Sequence, residues 1–163
     1  MYIPFQQLSD KARIWIYQAS RPFKNDEQTK IHAKAQAFSE QWTTHGRPLQ
    51  CSATLLYNQF LVLAVEESYQ QITDCAVDTS VYFVRELESL CAIDLLQRTQ
   101  ISFRIGAHNI IVPINQLQEQ IQAGTISGGT LTFDNTITTK GALANEWLVR
   151  AEDTWLKRYF TKP

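Results

Sequence analysis

The chain has 163 residues, of which 44% are hydrophobic and 19% charged, and a formal net charge of -1. This is the composition of a globular protein long enough to bury its own core. The charge excludes the strongly basic balance typical of nucleic-acid binding proteins, so no nucleic-acid partner is expected. The longest apolar run, residues 60–65, is far below the ~18 residues of a membrane helix, so no membrane insertion is expected.

Cysteine usage favours a cytoplasmic protein. The three cysteines, Cys51, Cys75 and Cys91, are odd in number and widely spaced, which excludes a fully paired disulfide framework. The opening residues lack the basic stretch and long apolar run of a signal peptide. Together these features favour a reducing compartment.

The first predicted elements are a strand and a helix. Residues 12–18 are rich in β-branched and aromatic side chains and predict a strand, with Ile14 and Ile16 on one face and Trp15 and Tyr17 on the other. Asn25 then opens a helix, because Gln28 follows at the spacing of a capping box. Its apolar stripe consists of Ile31, Ala35, Phe38 and Trp42.

Four more elements complete the first predicted domain. Residues 49–57 and 60–66 read as two strands joined by a tight turn at Asn58 and Gln59. Asp78 is expected to cap a second helix that runs to about Cys91, and residues 101–105 form another strand. The order predicts an α+β protein with a ferredoxin-like βαββαβ sheet and two helices over residues 1–109.

Residues 110–163 predict a small C-terminal α+β unit. A strand at residues 110–112 precedes a helix with the apolar stripe Ile114, Leu117 and Ile121, and Gly124 stands where a helix-terminating glycine belongs. Short β-like pieces and an aromatic tail follow. Because residues 106–109 are too short for a flexible tether, we expect this unit to dock on the first.

Nearly the whole chain resembles a family of small bacterial proteins of unknown function that are often labelled ABC transporter ATPase. The segments that carry the resemblance are M-Y-I-P-F-Q-Q-L, A-R-I-W-I-Y-Q-A, F-S-E-Q-W-T-T-H-G, Y-N-Q-F-L-V-L-A-V and C-A-V-D-T-S. A P-loop requires G-x-x-x-x-G-K-[ST], but Thr130 and Leu131 follow the glycines at 124 and 129. The chain is therefore not expected to be a P-loop ATPase, although the label implies an accessory partner of a transporter.

The C-terminal part is similar to the bacterial GYF-like domain. The similarity lies in V-P-I-N-Q-L-Q-E-Q-I-Q-A-G-T-I-S-G-G-T-L, followed by Trp147. It implies a domain that binds proline-rich peptides on an aromatic surface. The glycine-tyrosine-phenylalanine signature itself is absent from this chain.

Cys75 and Asp78 are the candidates for catalysis. Both are expected beside the start of the second helix, where a thiol can become nucleophilic and free amides attract polar ligands. The alternative is an incidental cysteine and a helix-capping aspartate. His32, His45 and His108 have no metal-ligand spacing, so neither a metal site nor a cofactor is predicted.

Four aromatic residues are candidates for binding: Trp15, Tyr17, Trp147 and Trp155. If the helices cover the Ile14 face of the first strand, Trp15 and Tyr17 either stack a ligand or pack against the C-terminal unit, and packing is the favoured interpretation. The aromatic tail, which comprises Trp147, Trp155, Tyr159 and Phe160, packs into a core or forms a groove for a peptide.

The leading hypothesis is a noncatalytic binding protein whose partner is another protein or a peptide. It depends on the missing catalytic motifs and on the aromatic residues. The rival is an enzyme whose site is assembled from distant residues around Cys75 and Asp78. The sequence indicates neither an oligomeric state nor a specific ligand.

Overall fold

Residues 1–67 and 71–161 are described by the computed structural model. They form an α+β protein, as predicted, with antiparallel sheets and helices. The chain divides into two units. The first comprises Met1–Leu96 together with Thr138–Gly141, and the second comprises Gln97–Ile137 and the chain from Ala142 onward.

The sheet of the first unit has three strands, β1 (Arg13–Gln18), β4 (Cys51–Leu56) and β5 (Phe60–Val65). Their order is β1-β5-β4, and both pairings are antiparallel. Its strands follow the β-branched, aromatic and aliphatic runs of the sequence. A tight loop after Leu56 joins two of them, with positive φ at Tyr57 and Asn58. A separate small hairpin of two strands, β2 (Thr43–Thr44) and β3 (Arg47–Pro48), precedes β4 in the sequence.

Two helices belong to this unit, α1 (Asn25–Gln41) and α2 (Asp74–Cys91). The helix stripe predicted from Ile31 and Ala35 is buried in the core. That core also contains Leu61 and Leu63 of β5, and Trp15 and Tyr17 pack against it. The helices therefore cover the face of the sheet that carries Trp15 and Tyr17. The assumption that they cover the Ile14 face is wrong.

α1 begins at Asn25 as predicted, but its cap is the preceding residue, and α2 begins earlier than the sequence suggested. The helix cap of α1 is Lys24, whose backbone N–H donates to the Glu27 carboxylate at 2.8 Å. Thr73 caps α2, because its hydroxyl accepts the backbone N–H of Ala76 at 3.3 Å. Asp78 therefore lies inside α2, on its exposed side, and is not the helix cap.

The outer edge of β1 is covered by Thr138–Gly141, which we call the returning segment because it comes back to the first unit. The Ile14 N–H donates to the Thr138 carbonyl at 2.9 Å, and the Lys140 N–H donates to the Ala12 carbonyl at 2.9 Å. Arg13 and Thr139 form an antiparallel bridge between these two bonds. The segment thus takes an edge position in the sheet of the first unit.

The second unit contains four strands, β6 (Gln100–Ile105), β7 (His108–Pro113), β8 (Leu131–Phe133) and β9 (Leu148–Arg150). They form an antiparallel sheet in the order β7-β6-β8-β9. Leu117, Phe103 and Leu156 belong to its core, together with partly buried residues of the C-terminal end. Gly124 has the positive φ of 80° expected after a helix. The remaining elements of this unit are α3 (Leu117–Gln122), α4 (Ala142–Asn145) and short 3-10 helices at Ile114–Gln116, Ala151–Asp153 and Trp155–Tyr159. A further 3-10 helix, Phe5–Gln7, belongs to the first unit.

The expected fourth strand of the first sheet lies elsewhere. The order β1-β5-β4 is that of the first three strands of a split βαβ arrangement. The strand at residues 101–105 instead pairs with β7 through a two-residue loop at Gly106 and Ala107, and with β8 on its other side. Strands joined by a two-residue loop form a β-hairpin, so this loop determines that β6 pairs with β7.

Candidate binding surface

Two of the four candidate aromatics, Trp15 and Tyr17, pack against the core of the first unit. The Trp15 ring lies 6.2 Å from that of Trp42, and the Arg13 guanidinium stands 4.7 Å from the Trp15 ring centroid. Tyr17 packs against the helix-facing core. Both side chains are only partly exposed. Their packing beneath the helices accounts for aromatic residues at these positions without a ligand.

Trp147 is also a core residue, within the second unit. Only 3% of it is exposed, and its ring lies 5.0 Å from the Phe133 ring. The indole N–H donates to the Asn135 side-chain carbonyl at 2.8 Å. A buried tryptophan whose one donor is satisfied inside the fold is a structural residue.

Trp155 differs from the other three, because 52% of it is exposed. It begins the 3-10 helix Trp155–Tyr159, which Thr154 caps by accepting the Leu156 N–H at 3.1 Å. Leu156 is 1% exposed and belongs to the core, and Tyr159 packs partly against that core. The helix is therefore anchored on its inner side, while Trp155 is presented outward.

Trp155, Arg158 and Tyr159 form what we call the C-terminal aromatic surface. The two rings lie 6.4 Å apart at an angle of 79°. Side chains three residues apart eclipse each other in a 3-10 helix, which brings Arg158 alongside Trp155. Its guanidinium carbon stands 5.9 Å from the Trp155 ring centroid and 5.0 Å from that of Tyr159. The two rings are nearly perpendicular, and we call the angle between them the aromatic step. The Arg158 guanidinium lies beside it.

Hydrogen bonding holds the cation of this surface in place. The Arg158 Nη2 donates to the Tyr159 hydroxyl at 3.1 Å. Among the described residues, no carboxylate forms an ion pair with Arg158, whereas the neighbouring Arg150 pairs with Glu152. Lys157 is exposed as well. The surface thus combines an open aromatic step with positive charge.

The two catalytic candidates are placed one turn apart on the exposed side of α2. Cys75 lies in the first turn of the helix, and its carbonyl accepts the Thr79 hydroxyl at 3.0 Å. A shallow cavity of about 320 Å³ lies at the other end of α2, and Cys75 and Asp78 do not line it. Its lining residues are Ser20, Glu88, Ser89, Ala92, Ile93 and Asp94.

The other cysteines are buried. Burial raises the pKa of the Cys51 thiol to about 11, so this thiol is neutral near pH 7 and a poor nucleophile. Within residues 1–67 and 71–161, no group of three or more histidine, cysteine, aspartate or glutamate side chains is arranged to hold a metal ion. None of the helices in the same ranges is long and apolar enough to cross a membrane.

Comparison of the chain with protein-family models, with curated proteins and with solved structures finds no match. The candidate surface is therefore defined by its own geometry. Of its three residues, sequence reasoning singled out Trp155 and placed Tyr159 in the aromatic tail, but it missed Arg158. The available signal was the three-residue spacing from Trp155 to Arg158, which has meaning only once the segment is known to be a 3-10 helix.

Proposed function

We propose that this is a noncatalytic binding protein that captures an extended, proline-containing peptide on the C-terminal aromatic surface. The observation that carries the proposal is the half-exposed Trp155, held at 79° to the anchored Tyr159 ring. Exposure alone does not single out Trp155, since Tyr82 is 66% exposed; what distinguishes Trp155 is the second ring and the cation beside it. The nearly perpendicular Tyr159 ring gives a ligand that lies on the exposed indole a second aromatic surface to contact.

Proline suits such a step for physical reasons. A proline-rich peptide is already extended in the polyproline II conformation, so it loses little conformational entropy on binding. Its pyrrolidine rings pack flat against aromatic side chains, and its carbonyl groups point outward at regular intervals. Arg158 and the Tyr159 hydroxyl stand at the edge of the step, where they are placed to donate to such carbonyls.

The resemblance of the segment from Ile111 to about Phe160 to the bacterial GYF-like domain favours the same ligand class. The observed helix, glycine stop and strand at α3, Gly124 and β8 are compatible with that similarity. In this proposal the aromatic role belongs to the C-terminal 3-10 helix, since the glycine-tyrosine-phenylalanine signature is missing.

The test uses the full chain and a decaproline peptide, followed by the fluorescence of the exposed indole. We expect saturable binding that weakens at least about tenfold in Trp155→Ala, as for an aromatic residue at the centre of an interface. Tyr82→Ala is the matched control, because Tyr82 is a 66% exposed aromatic on α2 in the other unit. A glycine-serine peptide of equal length controls for nonspecific contact.

Two results would count against this function. One is the absence of saturable decaproline binding to the wild-type chain. The other is equal weakening by Trp155→Ala and Tyr82→Ala, which would show that exposed aromatics in general, and not this step, are responsible. Binding to Trp155→Ala is followed by the anisotropy of a labelled peptide, since the indole signal is then lost.

A further inference from the structure

We infer that Arg158 makes this surface selective for proline-containing peptides that carry a carboxylate next to their prolines. The inference rests on the proposed function and adds the chemistry of the flanking residue. Its first observation is the charge of the Arg158 side chain. Arg158 is exposed, and in the part of the chain that the structure describes no carboxylate forms an ion pair with it.

The guanidinium group is also preorganised. Its contacts with both rings and its hydrogen bond to the Tyr159 hydroxyl restrict a side chain that would otherwise sample many rotamers. A guanidinium has five N–H donors in a planar fork, and the Tyr159 hydroxyl accepts from one of its nitrogen atoms. The other donors remain for a ligand, in a geometry that matches the two oxygens of a carboxylate.

The charges near the surface favour an acidic partner over a basic one. Lys157 adds a second exposed cation beside Arg158. Of the carboxylates in the preceding segment, Glu152 is engaged by Arg150, and Asp153 is exposed. A peptide lying on the step with a glutamate or aspartate at its end would bring the complementary charge to the open guanidinium. A basic flank would meet Lys157 and Arg158 with the same charge.

A second arginine on an exposed tyrosine provides an internal comparison. The Arg85 guanidinium lies 5.9 Å from the Tyr82 ring centroid on α2. Among the described residues no second aromatic ring lies against Tyr82, so that pair lacks the second ring that Tyr159 provides beside Trp155. Arg85→Gln is therefore the matched control for Arg158→Gln, since it removes an equivalent charge from an equivalent contact.

The experiment compares PPPPEE and PPPPQQ, both acetylated and amidated at their ends so that only the glutamates carry carboxylates, by titration of the full chain. We expect the wild-type protein to bind PPPPEE about two- to fivefold more tightly at low salt, the range of a solvent-accessible ion pair. Raising the salt concentration should remove most of this difference. Arg158→Gln should remove it as well, whereas Arg85→Gln should keep it. Circular dichroism checks that each variant is folded.

The outcomes separate the two proposals. Equal binding of both peptides, weakened by Trp155→Ala, would overturn the carboxylate preference and leave the peptide-binding function standing. A preference that persists in Arg158→Gln would overturn the assignment to Arg158. Failure of the wild-type chain to bind PPPPEE, PPPPQQ or decaproline would overturn both proposals together.

Discussion

A single arginine joins three segments at the end of the first unit. The Arg21 guanidinium donates to the two Glu27 carboxylate oxygens at 2.8 and 2.9 Å and to the Cys91 carbonyl at 2.9 Å. Glu27 also accepts the N–H of Lys24, the helix cap of α1. The hydrogen bond from Arg21, aided by that of Lys24, lowers the pKa of Glu27 to about 2. This carboxylate therefore ties the start of α1 to the end of α2.

Glu27→Gln should lower the free energy of unfolding by about 1–2 kcal/mol at neutral pH, since hydrogen bonds to a charged group become neutral ones. Because the folded pKa is depressed, the wild-type contribution is complete above the ordinary carboxyl pKa of 4.5 and is lost as the pH falls through about 2. Urea denaturation across this window measures both proteins. The difference between them should shrink as the pH falls, and a constant difference would contradict the pKa shift.

At the scale of elements, α1 and α2 meet through stacked aromatic rings. The rings of Phe38 and Phe83 lie 4.3 Å apart and are parallel within 2°, and Trp42 stands 5.0 Å from Phe38. Phe38 is half-buried, so its position on the predicted stripe was right but its burial is incomplete. Aromatic stacking of this kind adds to the burial of area and fixes the distance between the helices.

Phe38→Ala should destabilise the protein by about 2–4 kcal/mol, at or below the cost of emptying a fully buried aromatic site. Thermal and chemical denaturation measure the loss. The exposed Tyr82→Ala is a control that should change stability by less than about 0.5 kcal/mol. A loss for Phe38→Ala as small as the control's would show that the stack contributes little.

The beginning of α2 gives a second test at this scale. Thr73→Ala should cost about 1 kcal/mol, because the Ala76 N–H loses its acceptor and Thr44 loses a hydroxyl partner at 3.0 Å. Asp78→Ala, in the exposed helix interior, should change stability by less than about 0.5 kcal/mol. Equilibrium unfolding of the two variants decides the issue. The reverse ranking would restore Asp78 as the capping residue.

Local signals were sufficient for most elements and for the α+β class. Hydrophobic spacing located α1, and Gly124 marked the end of α3. Pairing between strands was less accessible, because β-branched residues indicate a strand but not its neighbour. The exception is the two-residue loop at Gly106 and Ala107, which specifies the β6-β7 pairing because a loop of this length joins the strands of a hairpin.

The candidate site was only partly accessible from the sequence. The sequence does not show whether a tryptophan is exposed or buried. Trp15, which packs against a core, and the buried Trp147 could therefore not be distinguished from the exposed Trp155. Arg158 acquires its position from a 3-10 helix of five residues, which has no reliable sequence pattern. The physical context, not the residue type, distinguishes the surface from the core.

At the scale of the whole molecule, the returning segment makes the first unit discontinuous in sequence. Besides its backbone bonds to β1, Lys140 donates through Nζ to the Leu8 carbonyl at 2.7 Å and to that of Gln6 at 3.3 Å. The same ammonium lies 5.2 Å from the Phe5 ring centroid. No pattern in T-T-K-G predicts a strand partner more than a hundred residues away, so the sequence could not reveal this pairing.

Lys140→Ala should lower the free energy of unfolding by about 1–2 kcal/mol, since two carbonyl groups lose a charged donor. Amide exchange at Ile14, whose N–H donates to Thr138, should become faster. Lys157→Ala removes an exposed lysine of the second unit and should leave both measurements unchanged. Unaltered exchange at Ile14 in Lys140→Ala would show that the side chain does not hold the segment in place.

The returning segment also sets an order of events during biosynthesis. The ribosome completes β1, β4 and β5 by residue 65, but the residues that cover the edge of β1 are added only at 138–141. At 5–20 residues per second, the nascent chain carries that open strand for several seconds. An open strand edge is a template for association with other chains. The first unit to be translated is thus completed only after much of the second has been made, and the edge of β1 stays open to other chains during that interval.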